Sequence, residues 1–288
     1  RDGDGGEAVV VGSKIDTEGE LLGQMIILLL ENEDIPTENR LRTGPTEVVR
    51  SALLSAEIDM YTEYTGTAVS QFFGDEVDPA ISKEATESYE TVKGLDEEQN
   101  DIVWLQRAPA NNTFAIAIPR ELSEGEGIET LEDWSEYINE GGEVKLVASQ
   151  EFADREDGLQ AFEETYGFEL SDGQLILLST GDTAQTERAA AQGTEGANAA
   201  MAFGTDGNLD ALGLVVLEDP RGAQAVFQPA PIVRAEVLET YPRIPDILDP
   251  VFEGLTLETL QRLNGQIAVE GRPAAEVAEE YLRDEGLL

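Results

Sequence analysis

AVVVGSKIDTEGELLGQMIILL, residues 8–29, joins an apolar β-branched run to an amphipathic helix through a short polar turn. The run from Ala8 to Val11 has the composition of a buried strand, and Gly12-Ser13-Lys14 closes it. Leu21, Leu22, Met25, Ile26 and Leu29 then recur at helical spacing. Thr17 and Glu20 stand at capping-box spacing ahead of them. The same alternation continues along the chain. A helix is expected over 47–56, and strands over 58–61, 113–118, 143–148, 175–178 and 214–217. Thr130-Leu131-Glu132-Asp133-Trp134 reads as a capped helix start. Pro273 opens a last helix whose Val277, Ala278, Tyr281 and Leu282 share one face before Gly286 stops it. Strands alternating with helices imply an α/β protein with mostly parallel sheets.

Composition narrows the function. The chain has 288 residues and 41% hydrophobic content, enough to fold as one or two domains. Against 18 Lys and Arg stand 60 Asp and Glu, for a formal charge of −42. Phosphate would be repelled, so no nucleic-acid partner is expected, and anionic lipid is disfavoured too. Cys and His are both absent. That excludes disulfides, thiolate or imidazole metal sites, His-dependent nucleophilic catalysis and an imidazole pH switch. No cofactor is implied. Charge of this size repels itself at low ionic strength, and molar salt, with a screening length of about 3 Å, removes most of that penalty. A high-salt habitat, that of a halophile, is the expectation.

The longest apolar run, Met25 to Leu30, falls far short of the ~20 residues of a membrane helix. Residues 1–8 open with Arg1-Asp2-Gly3-Asp4-Gly5-Gly6 and read as a flexible leader, as of a processed N-terminus. The Asp-Gly-Asp-Gly string lacks the terminal Glu of a calcium loop, so no metal is expected there.

Several segments carry side chains suited to binding. Gly12-Ser13-Lys14 lacks phosphate-loop spacing, yet a lysine at a helix start is either an anion contact or a solvated turn residue. Residues 58–67 run from a strand into Tyr64-Thr65-Gly66-Thr67, placing a ring and hydroxyls where open α/β sheets bind ligands. Asn111-Asn112-Thr113-Phe114 follows Ala108-Pro109-Ala110, a composition suited to a crossing between domains. Arg155 in Arg155-Glu156-Asp157-Gly158 is either a surface ion pair or a fork for a carboxylate. Phe203 before Gly204-Thr205-Asp206-Gly207, and Phe227 before Gln228-Pro229-Ala230-Pro231, each lie beside backbone-breaking residues.

Taken in order, Val11-Gly12-Ser13-Lys14, Thr17-Glu18, Glu57-Ile58-Asp59, Tyr64-Thr65-Gly66-Thr67, Asn111-Asn112-Thr113-Phe114, Arg155-Glu156-Asp157-Gly158, Gly204-Thr205-Asp206-Gly207, Ala230-Pro231-Ile232-Val233-Arg234 and Leu263-Asn264-Gly265 closely resemble one family. It comprises the substrate-binding proteins of ABC importers for glycine betaine, choline and related osmoprotectants (OpuAC/ProX-like). The resemblance covers nearly all of the chain from Val9 onward. It implies a type II periplasmic-binding-protein fold of two α/β lobes, with a ligand cleft between them. Lobe I is expected over 9–109 plus 227–288 and lobe II over 110–226, with crossings near Pro109 and Phe227.

By that resemblance Tyr64, Phe114, Phe203 and Phe227 form an aromatic cage for a quaternary ammonium. Lys14, Thr67 and Arg155 contact a carboxylate, and Asn112 sits at the cage edge. Phe stands where tyrosine is expected at three of the four cage positions; Gly19 replaces a Gln and Asn112 an acid found in relatives. The chemistry is coherent, because a methylated cation donates no N–H bond and is held best by ring faces. The implied protein is a monomer outside the cytoplasm, periplasmic or at the cell surface, lipid-anchored ahead of Arg1 and partnered by ABC permease subunits. Three alternatives remain: the same fold binding another amino acid or small carboxylate, an enzyme on that fold working through carboxylates or Lys14, and a binding lobe fused to a permease or sensor.

The charge yields the first prediction. The melting temperature should rise from low to multimolar KCl; thermal melts that stay level across that range would contradict the high-salt reading.

Overall fold

A computed structural model describes residues 7–179 and 182–288. Most of the leader expected over 1–8, through residue 6, lies outside the described residues. Ten strands follow one another: β1 (Val9–Lys14), β2 (Thr37–Gly44), β3 (Met60–Tyr64), β4 (Ile102–Trp104) and β5 (Phe114–Pro119) come first. Then come β6 (Leu146–Ser149), β7 (Leu175–Leu178), β8 (Ala199–Phe203), β9 (Leu214–Val216) and β10 (Pro229–Arg234). Contacts divide the chain into two compact units, Arg1–Asn111 with Phe227–Leu288, and Asn112–Val226.

The first unit holds a five-stranded sheet in the order β2-β1-β3-β10-β4. Its first helix, Thr17–Asn32, buries Leu21, Leu22, Met25, Ile26 and Leu29 as the periodicity requires. The cap differs from the sequence expectation. Asp16, in extended backbone, accepts from Gly19 N at 2.8 Å, and Thr17 is already helical. An aspartate one residue earlier reaches the free N–H groups before Thr17 can. Apolar clusters cover both faces of the sheet: Val9, Val11 and Met60 face the first helix, while Ile58, Tyr61 and Ile232 face Val49, Phe73 and Val92.

The second unit holds another five-stranded sheet, ordered β7-β6-β8-β5-β9. Thr130 and Asp133 form the expected capping box for the helix Leu131–Asn139. The two N–H bonds from Thr130 and Glu129 lower the Asp133 carboxyl below its usual range. At the chain's end, the helix Ala274–Asp284 buries Val277, Ala278, Tyr281 and Leu282, and Gly286 takes a left-handed backbone just beyond it.

The sheets are mixed, not mostly parallel. In each, two pairings are parallel and two antiparallel. The reason is topological. β5 and β10 are the first strands formed after the chain passes from one unit to the other, and each runs antiparallel to both of its neighbours. Pro229 and Pro231 lie within β10, where a central strand normally excludes proline. Their carbonyls still serve the ladder, accepting from Ala108 N at 2.8 Å and Leu105 N at 2.9 Å. β2 is also unexpected, because its Thr-Glu-Asn-Arg sequence is polar and lies largely exposed at the sheet edge. Arg42 within it adopts a left-handed backbone.

Asp96 ties the helix Ala85–Asn100 into the first unit from a fully buried position. It accepts from Arg50 through both terminal nitrogens at 2.9 and 2.5 Å, from Trp104 Nε1 at 2.8 Å and from Asn100 Nδ2 at 2.9 Å. Asp96→Ala would strand a buried guanidinium and should cost about 3–5 kcal/mol. Urea unfolding measures it; a loss below about 1 kcal/mol, the level of an exposed pair, would contradict that account.

Candidate functional site

In the first unit, β1 ends at Lys14 and β3 ends at Tyr64, which leads directly into the turn Thr65–Thr67. Glu63, one residue before that end, is fully buried. A bare carboxylate could not survive there, and three donors converge on it. Lys14 Nζ lies 2.6 Å from Oε1, Tyr61 OH donates to Oε2 at 2.7 Å, and Tyr64 N donates to Oε1 at 2.7 Å. Burial first, then the adjacent Glu63 charge, pushes the Tyr61 phenol well above its usual range, so it remains a donor. Lys14 Nζ also sits 5.2 Å from the centroid of the Tyr64 ring. The Tyr64 hydroxyl donates to Glu18, a buried acid in the first helical turn that also accepts from Asn264 Nδ2 at 2.8 Å.

Thr67 is buried in the same turn. Phe227 is half-buried and reaches this region through its neighbour: Gln228 N donates to Thr65 Oγ1 at 3.1 Å, and Thr65 N donates to Gln228 O at 3.1 Å. Phe227 N is itself held by Asn111 Oδ1 at 2.8 Å. Arg107 fixes the Gln228 side chain at 2.5 Å. Of the expected residues, the first unit therefore joins Lys14 to Tyr64 directly and Phe227 to the Thr65–Thr67 turn through Gln228.

The second unit pairs Phe114 with Phe203 across β5 and β8. Both are half-buried, and their rings stack at 5.1 Å with 22° between planes, an attractive offset arrangement. Phe152 backs Phe114 at 5.2 Å. The Arg155 guanidinium lies 5.8 Å from the Phe114 centroid, exposed, and is gripped by acids just before and after it in the chain. Nε and one terminal nitrogen meet the two Asp157 oxygens at 2.6 Å each, and Glu151 lies at 3.1 Å. Asp157 above all holds the guanidinium protonated, and Arg155 in turn holds the Asp157 carboxyl low. Gly158 ends this loop because a Cβ there would strike the carbonyl oxygen of Phe152. Asn112 is half-buried, and its Oδ1 is sealed from solvent without a hydrogen-bond donor.

The arrangement offers ring faces and engaged charges. Among the described residues no group of three or more acids is placed to hold a metal ion. The sequence reading missed Glu63, Glu18, Tyr61, Phe152 and Gln228. One signal was available: Glu63 interrupts a strand whose every residue is buried.

Residues 7–284 match the family described as the substrate binding domain of the ABC-type glycine betaine transport system. The glycine betaine-binding protein YehZ of Escherichia coli is 52% identical over 278 residues, covering 96% of this chain and 90% of its own. A glycine-betaine-binding protein of Pseudomonas aeruginosa is 30% identical over 290 residues, covering 98% and 89%. The solved structure of apo YehZ from Escherichia coli superposes with a TM-score of 0.95 at 51% identity, over 98% of this chain and 100% of that one. It shares with this chain the type II periplasmic-binding-protein fold. No described helix is long and apolar enough to cross a membrane. On a match spanning almost its whole length, the chain belongs to the family of substrate-binding domains of ABC-type glycine betaine transport systems.

Proposed function

We propose that this chain is an extracytoplasmic receptor that binds glycine betaine, or a related quaternary-ammonium solute such as choline, carnitine or proline betaine, and passes it to an ABC permease. The observation that carries the reading is the Phe114–Phe203 stack, half-buried at the ends of paired strands beside Arg155. Tyr64 and Phe227 of the first unit supply the remaining rings. Each ring face contributes about 0.5–2 kcal/mol toward a desolvated cation. Phe in place of Tyr keeps that attraction and gives up the hydroxyl bonds. Thr67 and Arg155 take the carboxylate, and Asn112 Oδ1 is an acceptor still open to a donor. Lys14 acts chiefly through Glu63, which holds its ammonium at 2.6 Å.

One observation favours a second reading, a cation without a carboxylate: Lys14 and Arg155 are both already matched by acids. Titration calorimetry in molar KCl with glycine betaine, choline, carnitine and proline tests the class. Saturable binding of at least one quaternary amine is expected, and none at millimolar ligand refutes the cage. Arg155→Ala separates the readings. It should weaken glycine betaine by about 1.5–3 kcal/mol, roughly ten- to hundredfold, and leave choline nearly unchanged. Equal effects on both ligands would remove Arg155 from the carboxylate end.

A further inference from the structure

Glu187 lies on the helix Thr183–Gln192, fully buried, and the site described above makes no use of it. Both its oxygens are sealed from solvent, and neither meets a donor at hydrogen-bonding geometry. After burial, the neighbour that raises its carboxyl most is another acid, Asp206. Asp206 is no bystander: its Oδ2 accepts from Phe203 N at 2.8 Å, and its own N donates to Phe203 O at 3.1 Å. It thus clamps both main-chain groups of the residue whose ring stacks on Phe114.

Two carboxylates can only accept, and with Glu187 buried and Asp206 half-buried they repel; a proton held between them turns the repulsion into a bond. We propose that Glu187 and Asp206 share one proton, Glu187 donating to Asp206, and that this bond positions the Phe203 ring. The positioning role rests on the cage reading above; the shared proton does not. Burial first, then Asp206, raises the Glu187 carboxyl from its usual range to about 10, the direction the bond requires.

Few other charges face it. Asp182 caps the same helix and raises the carboxyl further, while the Asn208 amide lowers it. Arg188 is exposed. Strands β5, β6 and β8, packed against the helix, carry no titratable side chain, and Glu195 and Asp210 on the remaining neighbours are exposed. The sign follows. Between the ordinary glutamate value near 4.3 and about 10 the folded chain holds one proton more than the unfolded chain. The stability this proton provides is complete at the acid end and is lost as pH rises through about 10.

Glu187→Gln keeps a neutral donor toward Asp206 with no proton to lose. Urea unfolding of both proteins in molar KCl, from about pH 6 to 9.5, provides the test. The wild-type folding constant should fall by about tenfold per pH unit relative to the variant. Parallel profiles would overturn the shared proton. Should the variant not fold, the Glu187 carboxyl 13C resonance of the wild type decides: a protonated shift at pH 7 supports the proposal and a carboxylate shift refutes it. In calorimetry between pH 9 and 10.5, glycine betaine affinity should fall about fourfold in the wild type and stay level in Glu187→Gln; equal declines would remove the link to Phe203. If neither protein binds any quaternary amine at pH 7, the cage reading fails, and the unfolding profiles still decide the proton.

Discussion

The carboxylate of Glu63 is the point on which the ends of β1 and β3 turn in the first unit. It is completely withdrawn from water on a strand whose other residues are also buried. Desolvating a charge so deeply costs several kcal/mol, and the cost is offset only when every lone pair is answered in good geometry. Here the answer comes from Lys14, Tyr61 and the Tyr64 main chain at once. The pair joins the ends of β1 and β3, so the turn carrying Thr65 and Thr67 leaves the sheet from a fixed point. It also occupies the ammonium that a solute's carboxylate would otherwise claim. The lysine is structural first, and any contact with a ligand is made by an already neutralised pair.

Among its described residues the second unit has no buried ion pair. It carries the aromatic pair Phe114 and Phe203, set by strand register and backed by Phe152. Arg155 stays exposed, held by a loop whose path depends on Gly158. Both sheets share one plan: three parallel strands followed by an antiparallel strand that arrives just after a crossing. In the second sheet that strand, β5, begins at Phe114; in the first, β10 begins two residues after Phe227.

The elements legible in the sequence were those with a strong period or an unambiguous cap. Residues 8–29, the Thr130 capping box, the strand Leu175–Leu178 and the Pro273 helix all belong there. Those that escaped lacked such a signal: β2 is polar, β8 is mostly alanine, and β10 carries two prolines whose carbonyls, not their nitrogens, serve the ladder. At the candidate site, ordered motifs pointed to Phe114, Phe203 and Arg155, and the structure sets the guanidinium beside the stacked rings. The acids were hidden by composition. Among 60 Asp and Glu residues, Glu18, Glu63 and Glu187 look like any others, and only their burial separates them from the solvated majority.

The polar edge strand has a consequence for crowded, salty solution. Where dissolved ions mute the mutual repulsion of −42 charges, molecules approach closely and the unpaired rims of their sheets become the hazard. β2 resists strand addition with Glu38, Arg40 and a kinked backbone at Arg42. The rim formed by β7 has no such guard: it reads Leu-Ile-Leu-Leu, with Leu177 39% exposed. A charged residue at position 177 would give that rim the guard that Glu38 and Arg40 give β2.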